Sequence, residues 1–317
     1  MKSFSELTIL SLGDLVSDLN VAIQSLPVTH QGHQLVDRVH LEPGGAGNFL
    51  LAGARLGCRM IALGVVGDDI YGREMLEVLE SEGVKTEDVI RQPDGNTTLV
   101  FVLADNHGHH VFLGQVGRGP QVSLQDNWKA ALRSADAVHS YGYTLNEERL
   151  APTLLAGMEY ALACGKPVFF DPGPHVANVP METRRQALQR CSAVLLTEEE
   201  IPLVVPGGQG LADAPRLFSE TVHLVVVKRG SEGSLALSAD GRQVEHPGFK
   251  VPLVDSTAAG DSFAAAFIAS WLQGRPLLDV LAIANAMGAA KVQKPGSGRQ
   301  VPTLAEVRAV LNGTVNF

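Results

Sequence analysis

Short, nearly continuous apolar runs alternate along the chain with longer segments in which apolar residues recur every three or four positions. Such short runs are typical of parallel strands covered on both faces. They lie at residues 8–12, 59–66, 137–140, 167–170, 193–196 and 222–227. The longer segments, which are typical of amphipathic helices, include residues 150–162, 277–288 and 304–311. This alternation predicts an α/β fold with a doubly wound, mainly parallel sheet flanked by helices.

Two early regions break the alternation. Residues 14–43 are predicted to be extended without a helix, and residues 97–114 to form a hairpin around a turn at 105–108. The two regions could pair into a small β-sheet that hinges over a cleft as a lid, or they could extend an edge of the main sheet. The sequence leaves both arrangements open. Because no repeat or long linker divides the chain, we expect a single domain over residues 1–317 that includes the lid.

The most informative polar segment runs from Asp255 to Phe263 and reads Asp-Ser-Thr-Ala-Ala-Gly-Asp-Ser-Phe. An apolar helix is predicted to follow over residues 263–272. A turn of small residues at a helix start exposes backbone N–H groups at the positive end of the helix dipole, where an anion such as phosphate binds. Asp261 would lie beside the anion and could take a proton from an attacking hydroxyl. Taken alone, the segment is equally compatible with a helix cap formed by its serine or threonine.

A second small-residue segment, Gly-Gly-Ala-Gly-Asn at residues 44–48, leads into a helix predicted to end near Gly57. Its glycines allow a ligand to approach the backbone, and Asn48 offers both a donor and an acceptor. A glycine-rich turn with the asparagine as helix cap is the alternative. A dinucleotide fingerprint would need Gly or Ala where Leu50 stands, and the chain contains no P-loop. A Rossmann oxidoreductase and a P-loop kinase are therefore both disfavoured.

Together, the two segments resemble the two signatures of the ribokinase-like sugar kinases, the PfkB family. The C-terminal signature matches throughout residues 255–268. The N-terminal signature matches at Gly44, Gly45, Asn48, Gly57 and Gly67. The resemblance covers essentially the whole chain and implies a parallel α/β domain with a β-sheet lid, in agreement with the strand and helix pattern. It also implies an ATP-dependent carbohydrate kinase that transfers a phosphoryl group to a hydroxyl of a small sugar or nucleoside.

The resemblance implies roles for individual residues. Asp261 would be the general base that activates a substrate hydroxyl. The turn formed by Ala258, Ala259 and Gly260 would be the anion hole that stabilises charge on the transferring phosphoryl group. The residues implied in substrate binding are Asp18, Gly44, Gly45 and Asn48. Phosphosugar kinases of the family usually carry a lysine in this glycine loop, and its absence here favours an unphosphorylated substrate.

The residues that the resemblance implies in ATP binding are Thr197, Glu200, Lys228, Gly230, Ser231, Gly233 and Asn285. Glu200 would also organise Mg²⁺ indirectly. Thr197 replaces the asparagine usual at this position, which motivates an alternative: a non-catalytic sugar- or nucleoside-binding regulatory protein on the same fold. Without the other motifs, residues 228–233 would be an ordinary hairpin turn and the acidic run at 198–200 a solvated helix start.

Three further residues, Asp255, Thr257 and Gly296, resemble the monovalent-cation site of some family members. The expected cofactors are therefore ATP, Mg²⁺ and K⁺. In several relatives the lid sheets clasp each other, so we expect a homodimer formed through the lid. His107, His109 and His110 fall at the tip of the predicted hairpin, where a solvated turn is favoured over a metal site.

The bulk composition agrees with a soluble globular protein, since 45% of residues are apolar and 19% are charged. The net charge of −9, from 25 basic and 34 acidic residues, argues against nucleic acid or an anionic membrane as the main partner. The N-terminus lacks a signal pattern, and no apolar run approaches the ~20 residues that span a bilayer. Cys58, Cys164 and Cys191 suggest neither a disulfide framework nor a zinc site, so we expect a cytoplasmic protein.

Overall fold

An eight-stranded sheet forms the centre of the computed structural model, which describes residues 2–30, 32–36, 38–105 and 109–315. The strands, numbered along the chain, are β1 (Thr8–Leu12), β2 (Leu15–Ala22), β3 (Val39–Gly45), β4 (Arg59–Leu63), β5 (Val65–Gly67), β6 (Ile90–Gln92), β7 (Thr98–Ala104), β8 (His110–Gln115), β9 (Ala137–Tyr141), β10 (Val168–Asp171), β11 (Ala193–Thr197), β12 (Leu224–Lys228), β13 (Ser234–Ser238) and β14 (Gln243–His246). The order in the main sheet is β14-β13-β12-β11-β10-β9-β1-β4. From β12 to β4 all neighbours are parallel, and β13 and β14 add an antiparallel edge. The predicted mainly parallel sheet is confirmed.

Helices cover both faces of this sheet. They are α1 (Ala46–Arg55), α2 (Ile70–Ser81), α3 (Asp126–Ser134), α4 (Ala151–Ala163), α5 (Met181–Leu188), α6 (Ile201–Val204), α7 (Ala259–Leu272), α8 (Leu277–Lys291) and α9 (Leu304–Leu311). Successive residues of β1, Ile9 and Leu10, belong to different apolar cores because strand side chains alternate between faces. One core contains Phe49 and Phe267 from α1 and α7, and the other contains Trp128 from α3. The doubly wound arrangement is therefore confirmed.

The two early regions form a separate four-stranded sheet with the order β3-β2-β7-β8. Strand β2 is antiparallel to β3 and parallel to β7, and β7 and β8 form the predicted hairpin. This sheet shares no ladder with the main sheet, so the alternative of an edge extension is excluded for the described residues. Most of the predicted turn at 105–108 lies outside the described residues.

The prediction of one strand over residues 59–66 is wrong. The structure has two strands there: β4 ends at Leu63, and β5 begins at Val65 and pairs with β6 in a two-stranded sheet. Gly64 separates them. A Cβ atom built on Gly64 would collide with the carbonyl oxygen of Gly13. The chain therefore bends where two backbones come close together, which an apolar pattern does not reveal.

The helix after the Asp255 segment begins earlier than predicted, at Ala259 rather than Phe263. Ala258 adopts a left-handed conformation with φ of 63°, which turns the chain into α7. No side chain caps this helix start, so the capping alternative does not describe the preceding serine and threonine. Asp261 consequently lies in the first turn of α7.

Candidate active site

The carboxyl ends of four parallel strands meet at one edge of the main sheet. Tyr141 ends β9, Asp171 ends β10, Thr197 ends β11 and Lys228 ends β12. A Cβ atom built on Gly260 would lie 3.5 Å from Nζ of Lys228, so the N-terminus of α7 faces the same edge. Ligands of open α/β sheets bind at such edges. We therefore take this edge as the candidate active site.

Asp261 is held there by two hydrogen bonds. The Tyr141 hydroxyl donates to Oδ1 at 2.6 Å, and Nδ2 of Asn48 donates to Oδ2 at 2.9 Å. Burial raises the pKa of Asp261 to about 6, although both hydrogen bonds favour the ionised form. A carboxylate with this pKa is ionised at neutral pH and remains basic enough to accept a proton. These are the properties of a general base.

A buried ion pair lies beside the predicted anion hole. Nζ of Lys228 donates to Oδ2 of Asp171 at 2.6 Å. Burial disfavours the ammonium, but the carboxylates of Asp171 and Glu200 outweigh that effect and raise the pKa of Lys228. A fixed positive charge therefore lies next to Gly260. The first N–H groups of α7 have no acceptor within the helix, so dipole and ammonium together favour an anion here.

A cavity of about 520 Å³ opens beside this turn. Six of the residues predicted to bind ATP line it: Thr197, Lys228, Gly230, Ser231, Gly233 and Asn285. Glu200 is not among its lining residues, because its carboxylate turns back to accept the N–H of Thr197 at 2.8 Å. Phe249 and Leu253 add apolar walls, as is typical of small-molecule sites.

Asp18 lies on the other side of Asp261. Burial raises the pKa of Asp18 to about 7, and the carboxylates of Asp261 and Glu42 add to this shift, although the Ser297 hydroxyl opposes it. A Cβ atom built on Gly44 would overlap the carboxylate of Asp18. Glycine is therefore required at position 44 for Asp18 to keep its place.

The other two predicted substrate residues belong to the turn into α1. Gly45 has φ of 44°, a positive value that glycine adopts more readily than any other residue. Asn48 bridges two segments: Oδ1 accepts the N–H of Gly298 at 2.7 Å, while Nδ2 binds Asp261. The structure thus brings Asp18, the glycine turn and Asn48 together around the candidate base.

The residues predicted to hold a monovalent cation also meet. Oδ1 of Asp255 accepts the N–H of Thr257 at 2.7 Å, and Oδ2 accepts the N–H of Gly296 at 2.5 Å. Nε2 of His110 lies 3.0 Å from Oδ1. The Asp255 carboxylate is therefore surrounded by hydrogen-bond donors.

The prediction of a solvated turn is wrong for His110, whose side chain is only 12% exposed. The four-stranded sheet folds over the start of α7, so the first residue of β8 meets Asp255. His109 is exposed and lies 3.0 Å from Asp105, and His107 lies outside the described residues.

Residues 7–304 match the pfkB family of carbohydrate kinases. The chain belongs to this family. The match spans both signature segments and the strands between them, so the family predicted from the two segments is confirmed. The predicted enzyme class, a carbohydrate kinase, is confirmed with it.

Relatives of this pfkB-family chain are similar over nearly its full length. An ATP-dependent ribose-1-phosphate kinase of Halopiger xanaduensis is 31% identical over 304 residues, covering 96% of this chain and 98% of the relative. A nucleoside kinase of Methanothermobacter thermautotrophicus is 27% identical over 300 residues, covering 94% and 93%. A crystal structure from E. coli, described as a ribokinase II in complex with ATP and Mg²⁺, superposes with a TM-score of 0.82 at 23% identity, covering 96% and 99%. This superposition confirms the ribokinase fold.

Sequence reasoning misses two residues of this pfkB-family site, Tyr141 and Asp171. Each ends a strand whose predicted range stops one residue earlier. An aromatic residue that ends an apolar run is indistinguishable from a core residue, and a single aspartate resembles the start of a loop. The signal that could have found them is position, because ligands bind at the carboxyl ends of parallel strands.

No helix in residues 2–30, 32–36, 38–105 or 109–315 is long and apolar enough to cross a membrane. Over the same ranges, no group of three or more His, Cys, Asp or Glu side chains could hold a metal ion.

Proposed function

We propose that this chain transfers the γ-phosphoryl group of ATP to a hydroxyl of a small sugar or nucleoside, with Asp261 as the general base. The observation that carries the proposal is the position of Asp261, in the first turn of α7 between the nucleotide-sized cavity and Asp18. A carboxylate in that position repels a phosphate unless it has a chemical role, and accepting the proton of the acceptor hydroxyl is such a role. A protein that only binds its ligand needs no base there, so the non-catalytic alternative is not favoured.

In the proposed reaction, one group acts on the acceptor hydroxyl and others act on the transferring phosphoryl group. Asp261 accepts the proton of the acceptor hydroxyl, whose oxygen bonds to the γ-phosphorus as the bond to the leaving ADP breaks. The turn of Ala258, Ala259 and Gly260, together with Lys228, stabilises negative charge on the transferring group. Tyr141 and Asn48 keep the carboxylate in one orientation throughout.

The nucleotide is expected to bind with Mg²⁺, as ATP does in the E. coli structure. Mg²⁺ usually binds through one or two carboxylates, substrate phosphates and water. Asp171 and Glu200 fit this requirement: both lie near Lys228, and the charge of Asp171 adds to burial in raising the pKa of Glu200. When bound, the metal would neutralise charge on the phosphates. Because Glu200 turns back toward Thr197, we propose that it acts through a water molecule.

The acceptor side of the site suggests a substrate rich in hydroxyl groups. Asp18 is buried beside Asp261, and its carboxyl can form hydrogen bonds with hydroxyls of the acceptor, whereas the Asp261 carboxylate repels a phosphate. The named activities of the relatives include a nucleoside kinase, which agrees with such a substrate. We therefore propose an unphosphorylated sugar or nucleoside rather than a phosphosugar. The ribose-1-phosphate kinase among the relatives makes ribose 1-phosphate the competitor to test.

We also propose that the four-stranded sheet is a lid within a single domain. It contacts loops around the site at several points. Glu42 pairs with Arg299 at 2.9 Å, Nδ2 of Asn20 donates to Oγ of Ser297 at 3.1 Å, and His110 meets Asp255. A closed lid would exclude water and so limit hydrolysis of ATP.

The test of the proposed function is an ADP-release assay with ATP, Mg²⁺ and a panel of sugars, sugar acids, nucleosides and ribose 1-phosphate. We expect turnover with at least one unphosphorylated acceptor and low ADP release without any acceptor. Ligand binding without ADP release would instead favour a regulatory protein. Turnover with ribose 1-phosphate alone would contradict the proposed substrate class while leaving the kinase assignment intact.

The pH dependence should report on Asp261. Below the pKa of this carboxyl, near 6, the base is protonated and activity is lost. Tyr141→Phe removes a hydrogen bond that stabilises the carboxylate, so the pKa should rise and the acidic limb of kcat/KM should move to higher pH. Since a hydrogen bond to a charged group contributes ~1.5 kcal/mol, the expected shift is about one pH unit. In Tyr143→Phe, which keeps the Tyr141 hydroxyl, the limb should stay in place; an unmoved limb in Tyr141→Phe would refute this role.

The outer face of the lid offers a surface for a second copy of the chain. Cross-strand neighbours form a continuous apolar row: Leu41, Leu19, Phe101 and Leu113. Phe101 is 37% exposed and Leu113 is 56% exposed, whereas Asp18 projects from the opposite face. Because such rows are usually covered, we propose a homodimer in which two lids pack through this row.

Phe101→Glu should therefore convert the protein from a dimer to a monomer, because it places a charge at the centre of the apolar row. Sedimentation velocity would show the change as a halving of the mass. Leu278→Glu is the matched control, since Leu278 is 51% exposed on α8, away from the lid, and its variant should remain dimeric. A wild-type protein that is monomeric would refute the lid interface directly.

A further inference from the structure

A lysine is fully buried where α8 ends. Lys291 has no exposed surface and is among the largest fully buried side chains of the described chain. Its Nζ donates to the carbonyl oxygen of Lys294 at 2.9 Å. Lysine is almost never fully buried unless its charge is compensated, because removing an ammonium from water is costly. The charge of Lys291 must therefore be compensated by groups within the protein.

The surroundings of Lys291 connect it to the turn of Ala258, Ala259 and Gly260, the proposed anion-binding turn. The carbonyl oxygen of the next residue, Val292, accepts the N–H groups of Val254 and Asp255 at 2.7 and 3.0 Å. A few residues further on, the N–H of Gly296 binds the carboxylate of Asp255. The ammonium thus lies within a loop, residues 291–296, that is fastened at both ends to the segment preceding α7.

The charge of Lys291 is balanced by carboxylates of the site. Burial lowers the pKa of Lys291 to about 8 and the charge of Lys294 adds to this shift, while the charges of Asp255 and Asp261 act in the opposite direction. A group with this pKa is mainly protonated at pH 7. The Lys291 ammonium, which is bound to the Lys294 carbonyl, therefore places one fixed positive charge behind the start of α7.

The residues predicted to bind K⁺ do not fit that ion. A K⁺ site consists mainly of carbonyl oxygens that replace its water. Here Thr257 and Gly296 turn N–H groups toward the Asp255 carboxylate, and His110 occupies a further side of it. The nearby carbonyl oxygen of Lys294 is already bound to the ammonium. The groups that K⁺ would need as ligands are therefore engaged with donors of the protein.

We propose that the Lys291 ammonium takes the place of a monovalent metal ion behind the anion-binding turn, so that the protein needs no added potassium. Lys291 is a positioning residue: it holds the loop and the Asp255 segment in place and does not touch the substrate. The consequence for turnover rests on the proposed kinase function. The consequence for potassium binding does not, and it can be measured on the folded protein alone.

The first experiment measures melting temperatures in KCl and in tetramethylammonium chloride at equal ionic strength. The wild type should melt at the same temperature in both salts. Lys291→Ala leaves room beside the Lys294 carbonyl, so K⁺ should raise its melting temperature by ~3 °C relative to the bulky cation. Lys291→Met fills the space without a charge and should show no difference between salts. Lys294→Ala keeps the carbonyl and loses a partly exposed pair with Glu306 and a positive charge that opposes the Lys291 ammonium, so it should behave as the wild type.

The second experiment compares kcat in the same two salts. The wild type and Lys294→Ala should be equally active in both. Lys291→Met should lose at least tenfold in kcat regardless of the salt, and Lys291→Ala should lose as much but recover with K⁺. Rescue of this kind separates a cation role from loss of packing.

Three results would overturn the inference: a wild type that K⁺ specifically stabilises or activates, a Lys291→Met variant with wild-type kcat, or a folded Lys291→Ala variant that does not respond to K⁺. If no acceptor supports turnover in the wild type, the proposed function fails, and the melting temperatures still decide the role of Lys291.

Discussion

Asp261→Asn should reduce kcat by about 10³-fold, which corresponds to ~4 kcal/mol of lost transition-state stabilisation. The carboxamide cannot accept the proton of the acceptor hydroxyl, so the attacking oxygen would keep its hydrogen into the transition state. The fold should survive, because the amide oxygen can still accept from the Tyr141 hydroxyl. On the other side its NH₂ group faces Nδ2 of Asn48, a small local cost. Steady-state kinetics with the best acceptor from the panel would measure the loss.

A chemical effect is distinguished from a binding effect by the Michaelis constants. We expect KM for ATP and for the acceptor to change only a few-fold, because neither ligand is held mainly by the base. Asp136→Asn is the matched control: it removes the same charge at a carboxylate that pairs with Lys2, at the other end of the main sheet's strands. Its kcat should stay within twofold of the wild type. Turnover of Asp261→Asn close to the wild-type rate would rule out the assignment of the base.

The main features of the fold follow from the sequence because burial imposes a visible pattern. A strand covered on both faces must be apolar throughout, so five of the six predicted runs correspond to single strands of the main sheet. The sixth predicted run, residues 59–66, is interrupted at Gly64. There the close approach of the Gly13 carbonyl, rather than burial, determines the path of the chain. The predicted start of α7 is wrong for a similar reason. The left-handed conformation of Ala258 depends on the tertiary structure, and the residue type does not predict it.

The candidate site is predictable only in part, since its residues come together through topology. Motif segments reveal Asp261, Asn48 and the glycine turn because their spacing within the chain is recognisable. Tyr141 and Asp171 meet the site only because strands β9 and β10 end beside α7. His110 reaches Asp255 only because the small sheet folds over that helix. The contacts of Tyr141 with Asp261 and of Asp171 with Lys228 join residues 120 and 57 positions apart, and local patterns carry no record of them.

Lys291 is the clearest example of a residue whose surroundings could not be predicted from the sequence. Its sequence neighbours are alanine and valine, and a lysine near a helix C-terminus is ordinarily an exposed residue that complements the dipole. Only its complete burial and its bond to the Lys294 carbonyl distinguish it from a surface lysine. The potassium site suggested by Asp255, Thr257 and Gly296 stays a prediction, and it is the one that the proposed role of Lys291 would replace.

Gly44→Ala should reduce kcat/KM for the acceptor by about 10²-fold, while KM for ATP stays nearly unchanged. A Cβ atom at position 44 would overlap the carboxylate of Asp18, which must then move away from its place beside Asp261. Displacing a substrate-positioning group by ~1 Å can cost two orders of magnitude in rate. Gly44 is not among the residues that line the cavity proposed to bind ATP, so ATP binding should be spared.

Gly114→Ala provides the matched control within the same four-stranded sheet. Its added Cβ would lie 3.8 Å from Cγ2 of Val100, an ordinary van der Waals contact, so the sheet should tolerate it without loss of activity. Both variants should keep melting temperatures near that of the wild type, since Asp18 can move toward the open acceptor site. If Gly44→Ala retained full kcat/KM, Asp18 would not position the acceptor, and the substrate would have to be held from Asn48 and the α7 side alone. If both variants lost activity equally, the four-stranded sheet as a whole would be sensitive to added volume, and the loss could not be assigned to Asp18.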